Sequence, residues 1–247
     1  MTLLELRNAV RKRLGETTAA FWTDAEINAY VNQGAKDLSW RTKCLRTTGY
    51  ISSISCTANT VSACSNEYTI STALSTACYA ITEVYFKEDG TDFVRLNPTT
   101  REELDVQNPA WQSLIGYTYS TTASTVTTYN YTSNTSTPTD YYWSREEDVF
   151  GLYPPPDADN SGTNYIKVYY AYTHTDVSTD SASPTIPSGL HPAIIDFATA
   201  TGLEDRGWGD RANDFWSKYF KKISDYVTER KNEREDDELI MKSYRNV

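Results

Sequence analysis

The stretch WTDAEINAYV, residues 22–31, decides how this chain is read. Thr23-Asp24-Ala25-Glu26 has the form of a capping box, in which a threonine hydroxyl and a glutamate carboxylate satisfy opposing free N–H groups at a helix start. Trp22 stands at N′ and Ile27 at N4, the two positions that staple the entering chain onto the first turn. Ile27, Tyr30, Val31, Ala35 and Leu38 then recur at helical spacing and define one apolar stripe. Upstream, Thr2-Leu3-Leu4-Glu5 repeats the grammar, with Leu3, Leu6, Val10 and Leu14 as the stripe and Gly15 as the stop. Two short amphipathic helices cannot cover their own apolar faces, so a partner is needed elsewhere in the chain.

The far end supplies it. Pro187-Ser188-Gly189 opens a third expected helix bearing Leu190, Ile194, Phe197, Ala198 and Thr201. Gly207-Trp208-Gly209 interrupts it, and Asp210 is placed as the cap of a fourth. That last helix carries Ala212, Phe215, Trp216, Tyr219, Phe220, Ile223, Tyr226 and Val227 on a wide apolar face. The expected architecture is α+β: a four-helix bundle from residues 1–46 and 187–231, a β-rich insertion over 47–186, and a tail over 232–247. Leu6, Val10, Ile27, Val31, Leu38, Ile194, Phe197, Phe215, Tyr219 and Ile223 are the expected bundle core.

Within the insertion the apolar period changes from 3.6 to 2. Short β-prone runs occur at Tyr50–Ile54, Tyr68–Ile70, Ala80–Phe86, Phe93–Leu96, Tyr117–Ser120, Thr125–Tyr131, Tyr141–Trp143, Val149–Tyr153 and Tyr165–Tyr172. Their number and spacing fit a sandwich or small barrel. A brief capped helix is expected over Pro98–Leu104, and Ser178–Thr185 reads as a flexible connector.

Charge separates the same regions. The 247 residues carry a net charge of −10, and the stretch from Thr47 to Ile186 holds five basic against sixteen acidic side chains. The acidity therefore belongs to the middle alone. Such a surface repels phosphate and does not coat nucleic acid. No run of about 18 apolar residues exists, which excludes a transmembrane helix, and Met1–Gly15 lacks the apolar core of a secretory signal.

The residues carry little chemistry. No C-x-x-C pair, nucleophile elbow or Gly-rich phosphate loop occurs, so no metal, cofactor or enzymatic activity is expected. Cys56 and Cys64 are eight apart and are open to pairing across a hairpin. Cys44 and Cys78 have no obvious partner. Glu102-Glu103 and Glu146-Glu147-Asp148 are the carboxylate groups a cell-wall glycoside hydrolase would need, yet neighbours in sequence more often mark a solvated turn. His174 and His191 read as structural. Tyr117, Tyr119, Tyr129, Tyr131, Tyr141, Tyr142 and Trp143 leave open a carbohydrate- or receptor-binding module, against plain cross-strand packing.

Leu3-Leu4-Glu5-Leu6-Arg7 with Leu14-Gly15, then Trp22–Asn28 with Tyr30-Val31-Asn32, resemble the opening of tailed-phage head-to-tail adaptor proteins. Gly151-Leu152-Tyr153-Pro154-Pro155-Pro156-Asp157 before the Tyr165 strand, and Ile186-Pro187 before the Ala193–Leu203 helix, follow in the family's order. The resemblance covers most of the chain, although the Ser/Thr-rich loops are long for it. It implies a virion protein without a catalytic centre, assembled in host cytoplasm. Such adaptors form a twelvefold ring of neighbouring copies below the portal protein. The ring extends the channel for passing double-stranded DNA, serves genome ejection and gives a downstream tail protein its platform.

It also implies a role for the C-terminus. Glu229 to Glu238 is a charge run, and beyond it Leu239, Ile240, Met241 and Tyr244 form an apolar cluster that would lie in water unless covered. Docking on the portal covers it; folding back onto the bundle and a disordered tail are the alternatives. The acidic Glu88, Asp89 and Asp92 are candidates for a channel wall that does not grip DNA, or serve solubility alone.

Overall fold

The computed structural model describes residues 1–16, 18–19, 21–51, 67–70, 74, 78–87, 93–100, 102–103, 106, 142–146, 149–153 and 166–244. Side chains are described to residue 232 in the last of these and only in part over 142–153. The chain divides into two compact units, Met1–Leu45 with Tyr172–Val247, and Arg46–Ala171.

The first unit is helical. Helix α1 (Leu3–Leu14) starts at a complete capping box on Thr2 and Glu5 and ends at Gly15, whose φ of 84° is the left-handed conformation a glycine adopts without strain. Helix α2 (Asp24–Thr42) has the same box on Thr23 and Glu26. A 3-10 turn over Ser188–Leu190 leads into α3 (His191–Glu204), so the regular helix begins after Gly189, with a proline in its first turn. Gly207, at φ 77°, turns the chain into α4 (Gly209–Tyr244). Asp210 lies inside the first turn of α4, two residues beyond the cap position at Trp208, where its carboxylate still complements the helix dipole.

All four helices contribute to one hydrophobic core. Leu6, Val10, Ile27, Val31, Leu38, Ile194 and Tyr219 are fully covered, Phe197 nearly so, and Phe215 and Ile223 pack against them half-exposed. Helix α3 contacts each of the other three. It is consequently buried on almost every side from Ala193 to Leu203, where a single stripe was expected.

The connector after the last strand belongs to this unit and is tied down along its length. The N–H groups of Leu3 and Leu4, unpaired within α1, donate to the carbonyls of Ala182 and Asp180 at 2.8 and 3.2 Å. Asn32 exchanges two hydrogen bonds with the Val177 backbone, at 3.0 and 2.9 Å. Lys36 pairs with Asp176. A segment whose backbone groups are satisfied in this way is not the flexible linker its Ser/Thr content led one to expect.

The second unit holds two four-stranded sheets among the described residues. The first comprises β1 (Arg46–Ile51), β3 (Cys78–Lys87), β4 (Phe93–Arg95) and β8 (Ile166–Tyr172), in the order β1-β8-β3-β4. The second comprises β2 (Glu67–Thr69), β5 (Asn97–Pro98), β6 (Tyr142–Glu146) and β7 (Val149–Tyr153), in the order β2-β7-β6-β5. β1 pairs antiparallel with β8, Arg46 opposite Ala171 and Ile51 opposite Ile166. β8 alternates as a half-buried strand should from Ile166 to Tyr170, with Ile166, Val168 and Tyr170 covered, and Ala171 is buried as well. Pro98 closes β5, which runs parallel to β6, and where a brief capped helix was expected Thr100 and Glu103 exchange hydrogen bonds at 3.0 and 3.1 Å.

Candidate functional site

Helix α4 is the element that leaves the core. Its 36 residues span about 54 Å at 1.5 Å per residue. The first half is anchored: Ala212 and Tyr219 are fully buried, and Phe215, Trp216, Ile223 and Tyr226 pack against the other helices. The Tyr219 hydroxyl donates to Asp37, and Trp216 Nε1 donates to Glu204 at 2.8 Å. Burial and that carboxylate together raise the Tyr219 phenol far above its ordinary range. From Val227 to Asn232 every residue is exposed.

The helix continues without interruption to Tyr244, so Leu239, Ile240, Met241 and Tyr244 all stand on it. The charge run is therefore helical. Its residues explain why: Glu, Lys and Arg are strong helix formers, and Lys231 with Glu235, Arg234 with Glu238, and Glu238 with Lys242 are opposite charges at i, i+4. Met241 and Tyr244 are three apart and Ile240 and Tyr244 four apart, which places these three on one side of the helix by register.

Cations and rings alternate over the anchored half. Phe21 and Trp208 are stacked at 5.9 Å, yet are 49% and 41% exposed. Arg206 lies over Phe21 and Arg211 over Trp208, at 4.6 and 5.8 Å. Phe215 has Arg13 and Lys218 over it, at 5.8 and 4.8 Å. Each ring's negative face holds its cation without neutralising it.

Several residues that hold this arrangement were not singled out in the sequence. Arg7 and Arg11 on α1 are buried beside the apolar stripe. Arg11 reaches Asp24 at 2.6 Å, Glu16 at 2.9 Å and the Trp22 carbonyl at 2.9 Å, and its guanidinium holds the Asp24 carboxyl below the usual range. Arg7 binds Asp180 at 3.0 Å. Asp196, 1% exposed in the middle of α3, receives both Arg13 of α1 and Lys222 of α4, so one carboxylate ties three helices. The signal was present as two arginines at i, i+4 beside the apolar stripe of α1.

The other candidates are placed as follows. His174 and His191 are both buried and hydrogen-bonded, the former to Thr185 and the latter to the Ile186 carbonyl. Glu102 and Glu103 are exposed. Cys44 and Cys78 are free thiols. Glu88, Asp89, Asp92, Cys56, Cys64, Glu147 and Asp148 lie outside the described residues, as do Tyr117, Tyr119, Tyr129, Tyr131 and Tyr141. Among the described residues no helix is long and apolar enough to cross a membrane.

No curated protein matches the chain in sequence. The family described as SU10 adaptor protein matches residues 1–240, which takes in both compact units and α4 through Ile240. With that span covered, the chain belongs to the SU10 adaptor family, a family of phage head-to-tail adaptors.

Proposed function

We propose that this chain is a structural component of the virion that joins the phage head to its tail, binding the portal on one side and a tail protein on the other. The match to an adaptor family over residues 1–240 carries this reading. In finer detail, the four helices of the first unit act as a bundle that packs against neighbouring copies. A heterologous patch repeated under a rotation that closes gives a ring, and the portal's symmetry sets the number, twelve in this reading. The ring continues the DNA channel, and the acidic middle of the chain, including Glu88, Asp89 and Asp92, keeps passing DNA from sticking.

The portal contact is assigned to Leu239, Ile240, Met241 and Tyr244. What supports it is α4, which runs beyond its own core and carries an apolar group past a charged stretch. Deleting residues 235–247 tests the assignment. The truncated chain is expected to keep its helical circular-dichroism signal and cooperative melting while losing co-sedimentation with purified portal. Full retention of portal binding would remove these residues from the contact.

A further inference from the structure

One face of α4 carries two opposite charges in two separate places. Arg211, Phe215, Lys218 and Lys222 follow each other at 0, 4, 7 and 11, a single line along the helix. Arg211 and Lys218 are exposed and, among the described residues, have no carboxylate partner; they rest only on the rings of Trp208 and Phe215. Lys222 shares Asp196 with Arg13, so that group of three keeps one positive charge.

Eighteen residues are five full turns at 3.6 per turn, and 18 residues further on the same line reads Glu229, Glu233, Asp236 and Ile240. A basic half and an acidic half thus share one face of one continuous helix, about 27 Å apart. Along one continuous helix the two halves stand too far apart to pair with each other. A parallel second helix in register would set like charge on like. An antiparallel one sets Lys218 opposite Glu233, Lys222 opposite Glu229, Phe215 opposite Asp236 and Arg211 opposite Ile240, with the two-fold axis between Asp225 and Tyr226. Symmetry then makes every contact twice. Duplex DNA fits less well, because the acidic half repels phosphate.

We propose that α4 is a self-recognition surface, on which a second copy of this chain docks antiparallel to form a two-fold pair in the free protein. Exposed ion pairs are individually weak and screened by salt, so the pair opens readily and frees the Glu229–Ile240 segment for other contacts. The proposal concerns the protein before assembly and stands independently of its role in the virion.

Sedimentation of the full-length chain in about 50 mM and about 500 mM NaCl tests it. A dimer is expected at low salt, weakened roughly tenfold or more at high salt, where the screening length approaches contact distance. Lys218→Glu and Glu233→Lys are each expected to sediment as monomers, because each creates two like-charge contacts per pair. The double variant is expected to recover the dimer, and a mixture of the two single variants to form a heterodimer. That recovery separates lost docking from lost folding. A monomer at low salt, a dimer indifferent to both single changes, or failure of the double variant to recover would each overturn the proposal.

Discussion

Asp196 is the least exposed charged residue described, at 1%, and nothing in its local sequence announced it. In Ala193–Leu203 it reads as a polar interruption facing water, and it is buried only because helices surround α3 on nearly all sides. Its partners are unequal to it: the Arg13 and Lys222 side chains are 32% and 37% exposed. Removing both cations strands a carboxylate with no route to solvent, whereas removing Asp196 leaves two cations able to turn outward. Arg13→Ala with Lys222→Ala is therefore expected to cost about 3–5 kcal/mol, and Asp196→Ala about 1–3 kcal/mol, by urea denaturation. Equal costs, or the reverse order, would remove Asp196 as the buried hub.

Histidine gives a second consequence at this scale. Burial lowers the pKa of both His174 and His191 from 6.5, and His174 Nε2 is buried without a hydrogen-bond partner. The unfolded chain then binds protons near pH 6.5 that the folded chain refuses. The stabilisation is complete above that pH and is lost as pH falls toward the folded values. Asp24 and Glu26 are also lowered, but from ordinary values of 3.8 and 4.5, and so act in more acid solution. Stability measured by denaturant from pH 7 to 5 is expected to decline, and His174→Gln to reduce the slope without abolishing it, since His191 remains. An unchanged slope would contradict the assignment to His174.

Among the elements, α1 and α2 were legible because caps and stripes are local: a threonine, a glutamate three residues on and apolar residues at 3.6 spacing suffice. Strands β3, β7 and β8 were legible for the same reason, through period 2. The connector was not, because what orders it lies far away in sequence, on Asn32, Arg7 and the first N–H groups of α1. Close helix approach was equally hidden. Gly34 of α2 faces the Phe197 ring of α3, and an added Cβ would stand 2.9 Å from Phe197 Cδ1. Gly34→Ala is thus expected to destabilise by about 1–3 kcal/mol through overpacking, although alanine is the better helix former. Gly189, with nothing within 4 Å of such a Cβ, is the control, and Gly189→Ala is expected to be near neutral. A stabilised Gly34→Ala would show that the two helices are not held this close.

For the whole molecule, the sequence disclosed that both ends of the chain are helical and that an acidic, tyrosine-rich stretch lies between them. It placed the chain's return to the helices at residue 187. The structure puts that return at Tyr172, whose N–H donates to the Leu45 carbonyl at 3.1 Å, so the helical unit is left and re-entered at adjacent points. The candidate site divided in the same way. The apolar cluster at Leu239–Tyr244 was visible as composition, while its place on a helix continuous with Gly209 follows from the helix-forming residues of the charge run. A cryo-electron microscopy map of the intact particle, read at the neck, measures the adaptor role most directly. The account predicts density for this chain between portal and first tail protein, with the C-terminal end of α4 against the portal. Density for the chain on the capsid shell or at the distal end of the tail, with none at the neck, would contradict it.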